Sequence, residues 1–103
     1  VFHCFTGTIE DAQRALDLNF YLGIGGVVTF KNGKIDRFLA DFPIEKMLLE
    51  TDSPYLAPTP FRGKRNESKY ILNIAEKLSE IHQISLEDVA DITTNNALKL
   101  FKI

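Results

Sequence analysis

Glu50 and Asp52 are the residues of this sequence best suited to chemistry. They follow the apolar run Met47–Leu49, and soon after them comes Pro54, which cannot pair inside a sheet. Because side chains alternate along a strand, both acids should point to the same side of it. Ligands and catalytic groups collect at the C-terminal ends of parallel strands, so this pair indicates a metal or acid/base site. An Asp52 and a Ser53 that cap an ordinary turn would give the same pattern.

His3 is the second residue that can do chemistry, and it lies in an apolar and aromatic segment that breaks at Gly7. A histidine that ends a strand just before a glycine turn can present a ring nitrogen at the same sheet edge as Asp52. Taken alone, such a histidine is more often a satisfied core or surface residue. By strand alternation, Cys4 should face away from His3 and serve as a small buried hydrophobe.

These two segments and three others make the sequence resemble the TatD-related family of metal-dependent deoxyribonucleases, which are barrel enzymes of the wider amidohydrolase type. The resemblance covers nearly the whole chain, and its most specific part is the block 49–58. One departure is Ser68, where the family usually has a proline. The segments occur in family order: His3-Cys4-Phe5-Thr6-Gly7, Gly26-Val27-Val28-Thr29-Phe30-Lys31, Leu49-Glu50-Thr51-Asp52-Ser53-Pro54-Tyr55-Leu56-Ala57-Pro58, Arg62-Gly63-Lys64-Arg65-Asn66-Glu67, and Thr93-Thr94-Asn95-Asn96-Ala97 with Leu100-Phe101.

The resemblance implies that His3 is a metal ligand and that Asp52 is a metal-binding and catalytic acid. Glu50 is expected as a second acid of the catalytic centre, or else as a hydrogen-bonded acid of the barrel core. Imidazole and carboxylate ligands suit Mg²⁺, Mn²⁺ or Zn²⁺, and the resemblance implies two such divalent metal ions in the complete enzyme. An ion held with open positions lowers the pKa of bound water, and Asp52 could accept the proton of that water as it attacks the phosphorus of DNA.

Three side chains of types that are usually exposed at protein surfaces are predicted to bind the DNA substrate. Arg65 could pair bidentately with a phosphate, or it could be a solvated loop arginine. Tyr55 could stack on a base or pack under its loop. Lys31 matches a residue of a family motif, but at a turn between a strand and a helix it could equally be only exposed.

Two other features carry weaker expectations. Thr6 and Gly7 open the first predicted helix, where free backbone N–H groups either hold a phosphate oxygen or form an ordinary helix cap. His82 is left outside the site, because it lies near a helix C-terminus where an imidazolium interacts well with the helix dipole.

Strands alternate with helices in the first half of the chain, which implies parallel pairing through right-handed crossovers. The predicted fold class is therefore α/β, a parallel βαβαβ sector followed by helices. The resemblance identifies this sector as the C-terminal part of a TIM-type (β/α)8 barrel. The predicted strands are residues 2–5, 20–25 and 46–51.

Helices are predicted between these strands and throughout the last third of the chain. Thr8 with Asp11 makes a capping-box-like start for a helix over residues 9–18. A break at Lys31-Asn32-Gly33 separates the second strand from the next helix. The remaining helices are expected over residues 35–42, from near Glu67, from a cap formed by Ser85 with Asp88, and from Thr94.

The length of 103 residues and a composition of 45% hydrophobic and 25% charged residues are typical of one soluble globular unit, residues 1–103. A complete barrel of this type needs about 250 residues, so the chain is expected to be a partial sector of one. His3 and His82 are its only histidines. The family's other ligands therefore have no counterpart here, and the isolated chain is predicted to be inactive.

The formal net charge of −2 does not draw the chain toward a polyanion, so contact with DNA must be local. The best local candidate is the basic loop of residues 62–65. A single cysteine makes no internal disulfide, and neither a signal peptide nor a transmembrane run is visible. These features predict a cytoplasmic protein with no membrane partner.

Two other functions remain open at this point. The chain could be a stable, non-catalytic fragment that self-associates through sheet edges left open by missing strands. The complete protein could also be an amidohydrolase-type enzyme that acts on an ester, lactone or amide, since one fold hosts many chemistries. The basic loop favours a phosphate substrate over this last alternative.

Overall fold

The computed structural model describes residues 1–31 and 34–103, so Asn32 and Gly33 of the predicted break lie outside the described residues. Short single turns of 3-10 helix cover Gly26–Thr29, Ile44–Lys46 and Ser68–Tyr70. The longer elements follow the chain as α1 (Ile9–Asp17), β1 (Leu22–Ile24), α2 (Asp36–Leu39), β2 (Met47–Leu49), α3 (Ile71–His82) and α4 (Leu86–Phe101).

The two strands pair in parallel, with Leu22 opposite Met47 and Ile24 opposite Leu49. A third segment joins the other side of β1, where Phe2 forms an isolated parallel bridge to Leu22. The α/β class with parallel strands is thus confirmed. Both strands are fully or largely buried, as expected for a parallel sheet covered by helices.

The predicted strand over residues 2–5 is wrong in its extent. Phe2 and Phe5 both bond to β1, through Phe2 N–H to the Tyr21 carbonyl (2.8 Å) and Phe5 N–H to the Gly23 carbonyl (2.9 Å). Between them the chain turns, because Cys4 has a φ of 51°, in the left-handed region that a strand residue does not adopt. The turn projects His3 out of the sheet edge.

The first helix begins as predicted. The Thr8 hydroxyl accepts a hydrogen bond from the Asp11 N–H (3.2 Å), and the Asp11 carboxylate accepts one from the Thr8 N–H (3.1 Å). This reciprocal capping box satisfies two donors that the helix itself leaves free. The buried face of α1 consists of the small residues Ala12 and Ala15, which let the helix lie close to the sheet.

The last helix is continuous, so the separate helix expected from Thr94 is wrong. Its start is as predicted, since the Ser85 hydroxyl accepts from the Asp88 N–H at 3.0 Å. Within the helix, Thr93 donates its hydroxyl to the Val89 carbonyl at 2.8 Å, a bond by which a threonine satisfies its own polar group without ending the helix.

Asn96 connects α4 to the start of β2. Its side chain is 6% exposed, and its amide nitrogen donates to the carbonyls of Ile44 (2.9 Å) and Met47 (2.8 Å). A polar group in this position is stable because both of its N–H bonds are used. The helix is therefore held against the N-terminal end of the strand by hydrogen bonds as well as by apolar packing.

One apolar core lies between the strands and the helices. It holds the sheet at a fixed distance from α3 and α4, so the strand ends that carry polar residues are well supported. Among the described residues, the helices are too short or too polar to cross a membrane. The fully buried large side chains are those of Leu22, Ile24, Val28, Leu39, Met47, Ile74, Leu78 and Val89.

Candidate metal centre

His3 lies between two carboxylates at the C-terminal edge of the sheet. Its Nδ1 is 2.9 Å from Glu50 Oε1, and its Nε2 is 2.9 Å from Asp52 Oδ1. One potential ligand atom from each of the three residues lies within 4.8 Å of the other two. The structure thus brings together the three residues to which the sequence pointed. The His3 side chain is 68% exposed, whereas those of Glu50 and Asp52 are 18% and 14% exposed.

Glu50 is placed by the end of β2 and by a gap above β1. Its backbone N–H donates to the Ile24 carbonyl at 3.0 Å, which continues the strand pairing by one residue. Its carboxylate then extends over Gly23, where a Cβ atom would overlap Oε2. Oε1 also accepts from the Cys4 N–H at 2.6 Å. Glu50 therefore holds both the ring of His3 and the backbone turn that presents it.

Asp52 follows two residues later in a left-handed conformation, with a φ of 58°. Its Oδ1 contacts His3, whereas its Oδ2 is buried and has no hydrogen-bond partner among the described residues. A buried carboxylate oxygen without a partner is costly, and a cation would satisfy it. One imidazole and two carboxylates form a donor set that suits Mg²⁺, Mn²⁺ or Zn²⁺. The residues therefore fit a divalent metal ion.

Contacts within this cluster change the pKa of His3 and of Glu50. The hydrogen bond that Glu50 accepts from His3, followed by the charges of Glu50 and Asp52, raises the pKa of His3. Burial raises the pKa of Glu50, and the hydrogen bond to His3 opposes that shift. A positive charge between the two carboxylates, on a protonated His3 or on a bound cation, would therefore be stabilised.

Cys4 does not face away from the site as expected. The left-handed turn breaks the strand alternation, and the half-buried thiol lies beside Asp52. Burial first, and then the neighbouring Asp52 carboxylate, raises the pKa of the Cys4 thiol to about 12. The group is therefore a neutral thiol at physiological pH.

Arg65, Tyr55 and Lys31, the predicted substrate-binding residues, are all exposed. No hydrogen bond or ion pair among the described residues joins their side chains to the three-residue cluster. Tyr55 is 73% exposed, so it does not pack under its loop. Arg65 lines a cavity of about 450 Å³ together with Ser53, Pro54, Asn66, Glu67 and Ser68.

The start of α1 favours the ordinary cap over a phosphate site. The Asp11 carboxylate already occupies the helix N-terminus, where it accepts from the Thr8 N–H. A Cβ atom at Gly7 would lie 2.8 Å from Asp11 Oδ2, so the glycine makes room for this cap. Thr6 and Gly7 thus support the capping box.

His82 lies at the last position of α3, outside the cluster. Burial lowers the pKa of His82, and the nearby Glu45 opposes that shift. Its Nε2 is buried and has no hydrogen-bond partner among the described residues. Burial thus disfavours the imidazolium form on which the expected interaction with the helix dipole depends.

Asn66 was missed as a site residue by reasoning from the sequence alone. Its side chain is 2% exposed, and its amide nitrogen donates to the carbonyls of Thr51 (2.5 Å) and Tyr55 (2.7 Å). Its backbone N–H donates to the Pro54 carbonyl at 2.9 Å. The only signal for Asn66 in the sequence is its place in the Arg-Gly-Lys-Arg-Asn-Glu segment, in which the neighbouring basic residues are the more obvious candidates for substrate binding.

The loop that carries Asp52 is also fixed to the turn after β1. The Thr59 N–H donates to Thr29 Oγ1 at 2.8 Å, and the Leu56 carbonyl lies where a Cβ at Gly26 would be. Because this backbone approach requires glycine, the loop and the turn fit together at close range. The loop thus has a defined position beside the cluster.

Comparisons with known proteins agree with this geometry. A family model described as TatD-related DNase matches residues 1–102. Over the whole chain, the sequence is 47% identical to the uncharacterized metal-dependent hydrolase YabD of Bacillus subtilis and 43% identical to the uncharacterized metal-dependent hydrolase YcfH of Escherichia coli. The chain spans only 41% and 39% of the lengths of these two relatives.

Solved structures show the same fold. The crystal structure of YJJV, a TatD homologue from Escherichia coli, matches 98% of this chain with a TM-score of 0.91 and 28% identity, over 39% of its own length. A TatD-family hydrolase from Entamoeba histolytica matches 93% of the chain with a TM-score of 0.82 and 24% identity, over 40% of its own length. The predicted fold class, a sector of a TIM-type barrel, is confirmed.

Proposed function

The chain belongs to the TatD-related DNase family, and on that premise we propose that the protein carrying it is a divalent-metal-dependent hydrolase that cleaves phosphodiester bonds in DNA. The observation that carries the proposal is the cluster of His3, Glu50 and Asp52. These three residues offer ligand atoms within 4.8 Å of one another, and one buried oxygen of Asp52 has no hydrogen-bond partner within residues 1–31 and 34–103.

The three residues have different parts in this proposal. His3 and Asp52 bind metal, with two ions in the complete enzyme, and Glu50 is the second acid of the centre. A bound ion would supply positive charge at the phosphate and lower the pKa of bound water. Asp52 accepts the proton of the attacking water. Glu50 keeps the His3 ring oriented through Nδ1, as carboxylates commonly do for ligating histidines.

The substrate-binding part of the proposal rests on the loop that follows Asp52. Arg65 would grip a phosphate from the edge of its cavity, while Tyr55 stacks on a base and Lys31 adds a second positive charge. Arg65 has no ion pair or hydrogen bond among the described residues, so its guanidinium is available. This local positive charge supports a phosphate substrate over a neutral ester or amide.

A substrate panel with a full-length protein that contains this chain tests the proposal. After removal of metal with a chelator, Mg²⁺ or Mn²⁺ would be added back, and the protein would be offered labelled single-stranded DNA, an aryl ester and an amide. We expect cleavage of DNA alone, dependent on added metal, and absent in Asp52→Asn. Hydrolysis of the ester or amide without cleavage of DNA would favour the amidohydrolase alternative. The Asp52→Asn variant controls for contaminating nuclease.

The isolated chain is a separate case, for which we propose self-association without catalysis. Phe2 and Phe20 pack with their rings tilted by 52° and their centroids 4.8 Å apart, yet they are 44% and 40% exposed. Leu18 beside them is 60% exposed, so this sheet edge presents an apolar surface. Light scattering over a dilution series should show dimers or larger species, and a monomer at every concentration would contradict the proposal. The cytoplasmic location stays a prediction.

A further inference from the structure

We infer that Asn66 is a positioning residue that holds Asp52 in its working conformation. It uses all three of its N–H bonds on one short loop, donating to the carbonyls of Thr51, Pro54 and Tyr55. Two of these residues flank the 52–54 segment on either side. The loop carbonyls thus converge on a single buried amide, and the acid lies on the loop that this amide closes.

Asp52 needs such support because of its backbone. A non-glycine residue with a φ of 58° is strained, and it persists only where its surroundings determine the conformation. The Tyr55 N–H donates to the Asp52 carbonyl at 2.8 Å, which closes a turn that begins at the strained residue. Release of the Tyr55 and Thr51 carbonyls would let this turn open. The carboxylate would then leave its 2.9 Å contact with His3.

Asparagine has the chemistry that this position requires. Its planar amide offers two N–H donors in fixed directions from a short side chain. Leucine has a similar size and shape but offers neither donor, so Asn66→Leu removes the two bonds without adding a charge near the acids. A change in metal binding then cannot come from altered charge.

Asn96 provides a matched control inside the same molecule. It is also buried, and it also donates one amide nitrogen to two backbone carbonyls, those of Ile44 and Met47. These carbonyls lie in the first residue of β2 and in the 3-10 turn that precedes it, whereas Asn66 acts beyond the C-terminal end of β2. Asn66→Leu and Asn96→Leu therefore remove the same bonds at opposite ends of one strand.

The experiment compares the two variants in a full-length protein that contains this chain. The measurements are made without urea, at a temperature at which both variants are folded. Hydrogen exchange of the Tyr55 amide reports on the turn itself and needs no metal. Mn²⁺ affinity, measured by titration calorimetry, and the kinetics of DNA cleavage report on Asp52. We expect Asn66→Leu to speed exchange at Tyr55 at least about tenfold, and to weaken Mn²⁺ binding and lower kcat about 10- to 100-fold with little change in KM.

The control and a double mutant complete the test. Asn96→Leu should lower the free energy of unfolding but leave Mn²⁺ affinity and kcat at the wild-type values. If Asn66 acts through Asp52, Asn66→Leu should cause no further loss of Mn²⁺ affinity in an Asp52→Ala background. Should Asn66→Leu fail to fold, Asn66→Ala serves in its place, because a water molecule can replace part of the lost amide.

The kinetic and metal-binding results rest on the proposed function, whereas the exchange result does not. A wild-type protein that neither binds Mn²⁺ nor cleaves DNA would refute the proposed function, and exchange at Tyr55 would still decide the role of Asn66. The positioning role is overturned if the Asn66 variants keep wild-type exchange at Tyr55. It is equally overturned if they lose stability as Asn96→Leu does while Mn²⁺ affinity and kcat stay unchanged.

Discussion

The two ends of β2 are held by the same hydrogen-bonding device and yet differ in what surrounds it. At the N-terminal end, Asn96 from α4 binds two carbonyls within the apolar core. At the C-terminal end, Asn66 from a loop binds two carbonyls next to a strained Asp52, whose buried Oδ2 has no hydrogen-bond partner in the described part of the chain. One end uses its asparagine to complete a stable core. The other uses it to keep an unfavourable arrangement in place.

This difference follows the division of labour in parallel barrels, in which the C-terminal ends of strands carry chemistry and the N-terminal ends carry stability. Strain and an unsatisfied carboxylate destabilise the fold, so they persist only where other contacts compensate. The buried core and the amide of Asn96 provide such contacts at the opposite end. Substitutions at the two ends should therefore separate activity from stability.

The largest effect is expected from removal of the acid at the C-terminal end. In the full-length protein, Asp52→Ala should lower kcat for DNA cleavage at least about a hundredfold, because a metal ligand and proton acceptor are lost. Its free energy of unfolding without metal should change little, since the loss of the contact with His3 is offset by removal of the buried Oδ2, which has no hydrogen-bond partner among the described residues. Steady-state kinetics and urea unfolding measure the two effects. Near-wild-type turnover in this variant would end the assignment of Asp52.

At the N-terminal end of β2, a substitution is expected to lower stability and to leave activity unchanged. Asn96→Leu removes the amide donor of the buried Met47 carbonyl and leaves the Ile44 carbonyl only the Met47 N–H among the described residues, and a buried carbonyl that loses its partner costs about 1–3 kcal/mol. The free energy of unfolding should therefore fall by about 2 kcal/mol or more in urea titrations, while kcat of the folded protein is unchanged. A variant that keeps its stability would show that water or a backbone shift satisfies these carbonyls.

A smaller effect is expected from the loss of Arg65, which is proposed to bind substrate beyond the C-terminal end of β2. If Arg65 grips a phosphate away from the scissile bond, Arg65→Ala should raise KM about tenfold and flatten its salt dependence, while kcat changes little. Lys64→Ala is the matched control, because Lys64 is exposed in the same loop and does not line the cavity. Kinetics at two ionic strengths measure the difference. Equal KM values for the two variants would return Arg65 to the role of a solvated loop residue.

The smallest effect is the pH dependence of the free energy of unfolding that His82, near the N-terminal end of β2, should cause. Burial lowers the pKa of His82 below its unfolded value of 6.5, so its neutral form is favoured in the folded state. Stability from this group is complete above pH 6.5 and is lost as the pH falls below that value. Partial exposure keeps the slope well under the roughly 1.4 kcal/mol per pH unit of one full proton.

His82→Gln isolates that contribution, since other titrating groups are common to both proteins. Urea unfolding between pH 7 and 5 should show a shallower loss of stability in the variant than in the wild type. Parallel curves would mean that His82 is hydrated in the folded state and titrates normally.

The elements of the fold were predictable where local chemistry decides them. The capping box of Thr8 and Asp11, the cap at Ser85 and the buried run Met47–Leu49 all formed as expected. The predictions failed where tertiary contacts override local preference. Thr94 looked like a helix cap, but the helix continues through it, and Asn96, two residues further on, packs against the sheet by donating to the Ile44 and Met47 carbonyls.

The site was predictable in its residues and less so in its geometry. Strand periodicity placed Glu50 and Asp52 on the same side, and both now contact His3. A left-handed turn at Cys4 could not be foreseen, because cysteine has no preference for that conformation. The role of Asn66 was equally hidden, since a carbonyl-binding asparagine differs from a surface asparagine only in contacts that are distant in sequence.

Gly23, which lies beneath the Glu50 carboxylate, couples the substitutions that can be accepted at positions 23 and 50 during evolution. Any side chain at residue 23 would occupy the space of the Glu50 carboxylate, so it would force that carboxylate to move. A carboxylate that moves, or a shorter acid at 50, would withdraw from the His3 ring and the Cys4 backbone. A change at 23 therefore reaches the cluster through Glu50, and each of the two residues constrains the other.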